Sequence, residues 1–455
     1  MNWSRRHRIR LFVSNSIWIF PALSIFLALA TVAVLSRLER LVGWEISMSR
    51  EIALAVMSTI AASMFTLVAL ASSAVLLTVQ LASAQLTPRI IALVYRSGAR
   101  KLSLAIFVFT FTFSLGVLVR LESVVPALTG YLAAYGFLLS LMVFLFFVDG
   151  VGKSLRPSSA LRNVGLIGRE VIREVYPRAL AKSDAATLEP IQILANTPDR
   201  IVANSEDGVL LAFDLMGLVS LAERHSCLIE LMPGVGDFVA SGDPLFRIFQ
   251  GGEGLSDDAL LDSVAIGHER SLEQDPMFAF RIVVDIAIKA LSPAINDPTT
   301  AVLAIDQIHH LLRDVGNRFL AEGHATDSSG QVRLVYRTPN WEDFVHLAIT
   351  EIRQYGSTSI QVTRRLRTML DNLIETLPER RAPVLREALE QLVSSSKRAF
   401  SDMDDQLMSV IGDLQGLGGG QDQNLLRQRI AIAMAQPAAP PDLRAMARVG
   451  KTKEQ

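Results

Sequence analysis

The sequence predicts a membrane protein: a four-helix α-helical transmembrane bundle followed by a mixed α+β cytoplasmic region with a small barrel-sandwich-like β module. Three observations lead there. The 455 residues are 50% hydrophobic and 20% charged, too apolar for an ordinary soluble chain and too charged for one wholly buried in lipid. Residues 1–150 hold 12 Lys/Arg against 5 Asp/Glu, whereas residues 151–455 hold 32 against 40. Four stretches, Leu11 to Ser36, Ile52 to Pro88, Leu102 to Val119 and Ser123 to Val148, carry no charged side chain, and each is long enough for the ~20 apolar residues of a bilayer crossing. The expected domains are therefore 1–150, four spans; 151–187, a juxtamembrane helical connector; 188–252, a small β module with an inserted helix; 253–411, a mainly helical cytoplasmic domain; and 412–455, a largely flexible tail.

The first stretch follows Arg5, Arg6, Arg8 and Arg10 and resembles a signal peptide in that respect. Its apolar run exceeds the about 7–15 residues of a signal core, so it reads as an uncleaved anchor. The second loop holds Arg89, Arg96, Arg100 and Lys101 with no acid. Basic loops stay on the cytoplasmic side, which puts both chain ends there.

The second stretch differs from its neighbours in hydroxyl and small side chains. Thr59, Ser63, Thr66, Ser73 and Gln80 follow a spacing of 4, 3, 7 and 7, which keeps one helical face. Two readings are open: a water-exposed pore face in an assembly of several copies, or a surface for close helix packing. No Asp, Glu, Lys or Arg sits mid-span in any stretch, which argues against proton relays and voltage sensors. Phe107, Phe109, Phe111 and Phe113 alternate like a strand, but an open strand does not survive in lipid and a helix is expected there.

Beyond the membrane, Gly150 to Leu180 reads as helical, broken near Pro157, with Arg162, Arg169, Arg173 and Arg178 close to the headgroups. Ile191 to Leu194 and Val209 to Phe213 read as strands, and Leu215 to Arg224 as an inserted helix. The segment Gly236-Asp237-Phe238-Val239, with Gly242 and Leu245 following, resembles the hairpin of barrel-sandwich domains related to biotinyl and lipoyl carriers. Carriers need a lysine, and none occurs between Lys182 and Lys289, so a covalent carrier role is excluded and a structural or docking module is expected.

Asp275-Pro276 and Asp297-Pro298 each read as an N-cap followed by proline in the first helical turn. Asp285 and Lys289 are spaced to pair on the helix between them. Glu269, Arg270, Glu273, Asn296, Thr299 and Thr300 remain; capping and buried ion pairs are their first reading, and a cytoplasmic polar pocket folded across the Ser292 to Asp297 turn, able to bind an ion or small ligand, is the second. Val332 to Arg337 reads as a strand, Trp341 to Tyr355 as a helix, and Thr358 to Phe400 as two amphipathic helices parted near Pro378 and Pro383. A short helix near Leu425 to Ala435 is expected within the tail.

These motifs taken together resemble a family. Ser16-Ile17-Trp18 with Pro21, Gln80 through Thr87-Pro88-Arg89, Pro233 through Val239, Glu273-Gln274-Asp275-Pro276, Ala290 through Asp297-Pro298 and Ile352 through Gly356 are similar to the bacterial predicted membrane proteins catalogued as domain of unknown function 2254. Members often carry Phe-Ser-Pro where this chain has Leu86-Thr87-Pro88. The resemblance covers residues 11 to about 400 and implies a four-span inner-membrane protein with a cytoplasmic domain. It implies no activity.

What is missing narrows the chemistry. No phosphate-binding loop, nucleophile elbow, zincin motif or complete dinucleotide fingerprint occurs. The single cysteine, Cys227, excludes an intramolecular disulfide and multi-cysteine metal centres and suits a reducing compartment. His309 and His310 point about 100° apart on a helix, so a histidine zinc centre has no support. No catalytic residue, metal site or cofactor is expected, and a net acidic soluble part does not favour nucleic acid. The expected partners are the lipid bilayer, further copies of the chain, and an ion or small ligand. An oligomeric channel or passive transporter with a cytoplasmic regulatory domain is the first reading. A membrane-anchored sensor or scaffold, whose residues 180–400 fold alone, is the second, and an enzyme centred on Glu273 and Asp297 is the third.

Overall fold

The computed structural model describes residues 3–42, 47–120, 124–181, 197–320 and 323–417. The segment 191–194 and the expected tail helix at 425–435 lie outside the described residues. Four helices are long and apolar enough to cross a membrane: α2 (Ile19–Val42), α3 (Arg50–Gln85), α5 (Gly98–Val119) and α6 (Ala127–Ser154). Each satisfies its backbone groups internally, as lipid requires. Between α2 and α3 a short strand β1 (Ser47–Ser49) pairs with β2 (Val124–Pro126), which precedes α6.

The bundle packs through small and hydroxyl contacts. A side chain on Gly116 of α5 would come within 3.2 Å of Val32 on α2, and Thr110 of α5 meets Ser140 of α6 at 3.0 Å. Close approach of this kind is how helices associate in lipid, where burial of apolar surface gives no net drive. Glu39, at the end of α2, is buried and accepts from the Thr129 backbone N–H at 3.0 Å. A carboxylate there complements the N-terminus of α6. The alternating phenylalanines lie on helix α5, with Phe107 and Phe113 buried in the bundle.

The expected first span is corrected. Residues Leu11 to Ser36 do not form one helix, because α1 (Trp3–Asn15) ends before a bend at 16–18 and α2 begins at Ile19. The physical reason is Leu11, which is buried against Leu211 and Ala265 of the β module rather than in the bundle. Pro21 then falls in the first turn of α2, where its missing N–H costs nothing.

The remainder forms one helical body and one β body. The helical body comprises α7 (Pro157–Val175), α10 (Pro276–Ala290), α11 (Pro298–Gly316), α12 (Trp341–Tyr355), α13 (Ile360–Thr376), α14 (Ala382–Ala399) and the short α15 (Met403–Ser409). The expected connector is thus part of this core, since Leu161, Val164, Ile172 and Tyr176 are buried in it. The membrane helix α3 also reaches it: Ala82 at its end and Leu86 and Ile90 just beyond belong to the same cluster. Between α3 and α5, a short 3₁₀ turn at Pro88–Ile90 leads into α4 (Ile91–Arg96).

The β body has a five-stranded sheet in the order β3-β7-β5-β10-β9 and a three-stranded sheet in the order β6-β4-β8. The strands are β3 (Arg200–Ala203), β4 (Gly208–Phe213), β5 (Leu228–Leu231), β6 (Phe238–Val239), β7 (Pro244–Phe249), β8 (Val264–Gly267), β9 (His324–Thr326) and β10 (Val332–Tyr336), with α8 (Leu215–Arg224) and α9 (Asp257–Leu261) between them. The sheets share one core with α8, including Leu210, Phe246, Val264 and Leu334. Gly236 at φ +94° and Gly242 at φ +90° make the hairpin turns, a conformation open to glycine. The expected boundary at residue 252 is corrected, because β8, β9 and β10 come from later in the chain. β10 pairs in parallel with β5, Leu334 opposite Ile229, and so fixes the helical body against the β body.

Candidate functional site

Glu273, Gln274 and Asp275 are consecutive: Glu273 reaches α4, Gln274 reaches the β body, and Asp275 caps α10 and holds Arg270. Asp275 is buried, caps the helix by accepting from the Phe278 N–H at 3.0 Å, and accepts a second bond from Arg270 at 3.2 Å. Burial pushes its carboxyl up, while the Arg270 guanidinium and the cap oppose that shift. Gln274 has a left-handed backbone, φ +53°. Its amide reproduces a strand edge, accepting from the Phe213 N–H at 3.1 Å and donating to the Phe213 carbonyl at 3.3 Å. Those bonds hold a conformation that costs a non-glycine residue about 1 kcal/mol or more.

Glu273 faces the membrane side. It accepts from Arg96 of α4 at 2.6 Å and lies 3.4 Å from His7 of α1. Arg96 also donates to Ser14 of α1 at 3.0 Å, and His7 stacks on Trp3 with ring centres 5.0 Å apart. Burial lowers the His7 pKa, with Glu273 opposing and Arg10 reinforcing the shift. Lys101 donates to the Ser14 and Val13 carbonyls, closing the C-terminus of α1 with a cation.

A second clamp lies further along α10. Asp285 accepts from both Arg89, just after the 86–88 Leu-Thr-Pro turn, and Arg281, the latter at 2.6 Å. Arg281 forms a two-pronged bond to Glu351 of α12, 2.6 and 3.0 Å, which holds Arg281 more firmly protonated and pulls the Glu351 carboxyl down. The expected Asp285–Lys289 pair is therefore not formed. Lys289 instead donates to the Ser83 carbonyl at the end of α3, 2.8 Å away.

The residues expected to make one polar pocket fall in two places. Glu269, Arg270 and Glu273 stand before α10. Asn296, Thr299 and Thr300 stand beyond its other end, about 22 Å away for 15 residues of helix. There Thr300 donates to Asp297 with its N–H at 3.0 Å and with its hydroxyl at 2.5 Å, while Asn296, at φ +49°, and Thr299 stand outside the core. Asp297 and its neighbours serve as the cap of α11. The grouping is corrected on that distance.

The stripe on α3 is placed on one face. Thr59, Thr66, Ser73 and Gln80 are exposed and Ser63 is half-buried, opposite the buried Met57, Met64, Ala71 and Val75. The Thr59, Thr66 and Ser73 hydroxyls donate to carbonyls four residues back, at 2.7, 3.1 and 2.9 Å. Alanines 55, 62, 69 and 84 are exposed on the same side, together with Ile52, Leu70 and Leu77, so the uncovered face of α3 interleaves hydroxyl and small side chains with large apolar ones. Helix α6 exposes Leu138, Leu145 and Phe146.

Two cavities flank the Glu273–Asp275 link. One, of about 570 Å³, lies between the bodies and is lined by Trp3, Tyr176, Phe213, Tyr336 and Met277 among others. The other, of about 1120 Å³, opens beside α1 and α4 and includes Glu269, Arg8 and Phe12. Arg270 lines both. Among the described residues no group of three or more His, Cys, Asp or Glu is placed to hold a metal ion.

Sequence reasoning misses His7, Arg96, Gln274 and the Arg89–Asp285 contact. The signal is present in the acid-free loop 89–101, whose arginines read as orientation signals alone.

Comparison with known sequences agrees with this architecture. The family described as predicted membrane protein (DUF2254) matches residues 14–372. An uncharacterized protein of Mycobacterium bovis and one of Mycobacterium tuberculosis are each 27% identical over 430 residues, covering 90% of this chain and 81% of theirs. No solved structure matches.

Proposed function

From the premise that this chain belongs to the DUF2254 family of predicted membrane proteins, we propose that it is an oligomeric channel or passive transport protein of the inner membrane, with α3 lining the path and the cytoplasmic bodies regulating it. One observation carries the reading: α3 keeps a stripe of hydroxyl and alanine side chains uncovered within the span, interleaved with Leu70 and Leu77, while its end is buried in the helical body. Thr59, Thr66, Ser73 and Gln80 recur along that stripe. Set around an axis with other copies, it offers water hydroxyl and amide groups. The back-bonded hydroxyls each retain oxygen lone pairs for an ion or water. Both chain ends are cytoplasmic in this reading, following the basic loops. The absence of mid-span ionisable groups favours passive over coupled transport.

Single-channel recording from purified protein in planar bilayers tests it, with Thr66→Phe as the comparison. Currents that disappear or shrink in Thr66→Phe are expected. Silence from folded, oligomeric wild-type protein, or currents that Thr66→Phe leaves unchanged, would remove α3 from the path.

The 570 Å³ cavity favours a second reading, a membrane-anchored sensor, because its size falls within the ~300–1,000 Å³ of ordinary ligand sites and aromatic side chains line it. Thermal stabilisation of the full chain by a metabolite, lost in a Met277→Trp variant that fills the cavity, supports that reading. A panel that stabilises neither protein removes it.

A further inference from the structure

We infer that α1 is a docking helix for an anionic phospholipid surface, held between the bilayer and the cytoplasmic bodies. The helix has two unlike sides. Its inner side is committed to protein: Ser4 and Leu11 are buried, the Ser4 N–H donates to the Asp262 carbonyl at 3.1 Å, and His7 and Ser14 meet Glu273 and Arg96. Its outer side exposes Arg5, Arg6, Arg8 and Arg10. The side chains of these four make no ion pair or hydrogen bond among the described residues, and the helix contains no acidic residue.

Apolar side chains interleave with the arginines. Ile9, Phe12 and Val13 are exposed on the same outer side, where water is a poor solvent for them. The position of the helix supplies the missing partner. After Asn15 the bend at 16–18 leads directly into the span of α2, and Lys101 at the start of α5 caps the C-terminal end of α1. Trp18, 59% exposed, sits at that junction, the depth at which aromatic side chains settle in membranes. A helix at this level, with guanidinium groups flanking three apolar side chains, fits a leaflet in which acyl chains receive the apolar side and phosphates receive the arginines. Negative headgroups complete the charge match, and neutral zwitterionic ones do not.

The committed inner side gives the docking a consequence. Glu273 accepts from Arg96 of α4, which in turn donates to Ser14 of α1, so a leaflet that holds α1 also holds the N-terminus of α10. The contact belongs to the full chain and does not depend on whether α3 lines a path.

The test uses full-length Val13→Cys protein in nanodiscs, where the native Cys227 is buried and silent. Labelling of the introduced thiol by a membrane-impermeant maleimide is followed in phosphatidylcholine alone and with about 30% phosphatidylglycerol. Labelling on the order of tenfold slower in the anionic discs is expected, as is loss of most of that difference in molar salt, which screens surface charge. Replacing Arg5, Arg6, Arg8 and Arg10 by glutamine is expected to abolish it. Should the fourfold variant misfold, the salt series on Val13→Cys alone decides. Equal labelling in both compositions overturns the proposal. Equal slowing in both, insensitive to salt, also overturns it and points to a second copy covering the helix.

Discussion

Asp275 does two jobs whose loss can be separated. Replacing it by alanine removes the cap of α10, worth about 1 kcal/mol, and leaves the half-buried Arg270 without its carboxylate, for a total of about 3 kcal/mol. Thermal unfolding of the full chain is expected to shift down by roughly 6–12 °C, at about 2–4 °C per kcal/mol for a body of this size. Asp275→Asn keeps a capping oxygen and should fall between the two. His7 gives a pH dependence of definite sign. Burial lowers its pKa from 6.5, so docked His7 stays neutral at pH values where a released α1 has gained a proton. Docking of α1 is therefore fully favourable above 6.5 and weakens as pH falls through that value toward the lowered one. Hydrogen exchange of the α1 amides, corrected for intrinsic rates, should speed up at pH 5.5 relative to 7.5, and His7→Gln should remove the change; equal protection at both pH values would refute it. Neither residue can be given its partner from the sequence. The Asp275 cap is legible from the proline beside it, but sequence reasoning leaves Arg270 and Glu273 open between ion pairs and a ligand, because the neighbours of Glu273 in space, His7 and Arg96, come from distant segments.

Among the elements, those with local punctuation were legible and those set by distant packing were not. α8 and α12 begin and end where sequence reasoning puts them, because Asp214 and Asn340 cap them and polar turns follow. The break between α1 and α2 was hidden because Leu11 looks the same to a hydropathy count whether it meets lipid or a β sheet. The expected pocket failed for a geometric reason, since it needed α10 to fold back on itself and α10 is straight enough to hold its ends apart. Helix α3 carries the clearest element-level expectation. Its 36 residues extend about 54 Å, well beyond the ~30 Å of hydrocarbon, and the excess enters the helical body. Leu86→Ala, just past the helix, removes a side chain buried in that body and should cost about 2–5 kcal/mol. The loss should appear as faster hydrogen exchange in α10 and α11, with α5 and α6 unchanged. An effect confined to the membrane helices would mean that Leu86 is not part of the core of the helical body.

For the whole molecule, the question is where the region beyond the membrane helices becomes self-sufficient. Composition suggests that residues 180–400 fold alone, since they avoid every membrane stretch. The packing argues against it. Leu161, Val164, Ile172 and Tyr176 of α7 and its end fill the same core as α10, α11 and α12, and the Tyr176 hydroxyl is buried deeply enough to push its pKa up to about 12. At roughly 1.5–3 kcal/mol for each large apolar side chain withdrawn from water, omitting these four forfeits about 6–12 kcal/mol. That equals the whole stability of a typical domain, about 5–15 kcal/mol. A piece covering 180–400 is therefore expected to lack fixed tertiary packing, with weak near-ultraviolet circular dichroism and no cooperative melt. A piece covering 155–417 restores α7 and α15 and should melt cooperatively, yet below the full chain, because Ala82, Leu86 and Ile90 still leave an exposed seat on α10. Cooperative unfolding of 180–400 at the same temperature as the full chain would show that α7 contributes little, and with it that the membrane helices and the helical body are energetically separate. The opposite result makes the membrane helices part of the fold of the helical body, and any motion of α3 in the bilayer a load on the core around α10.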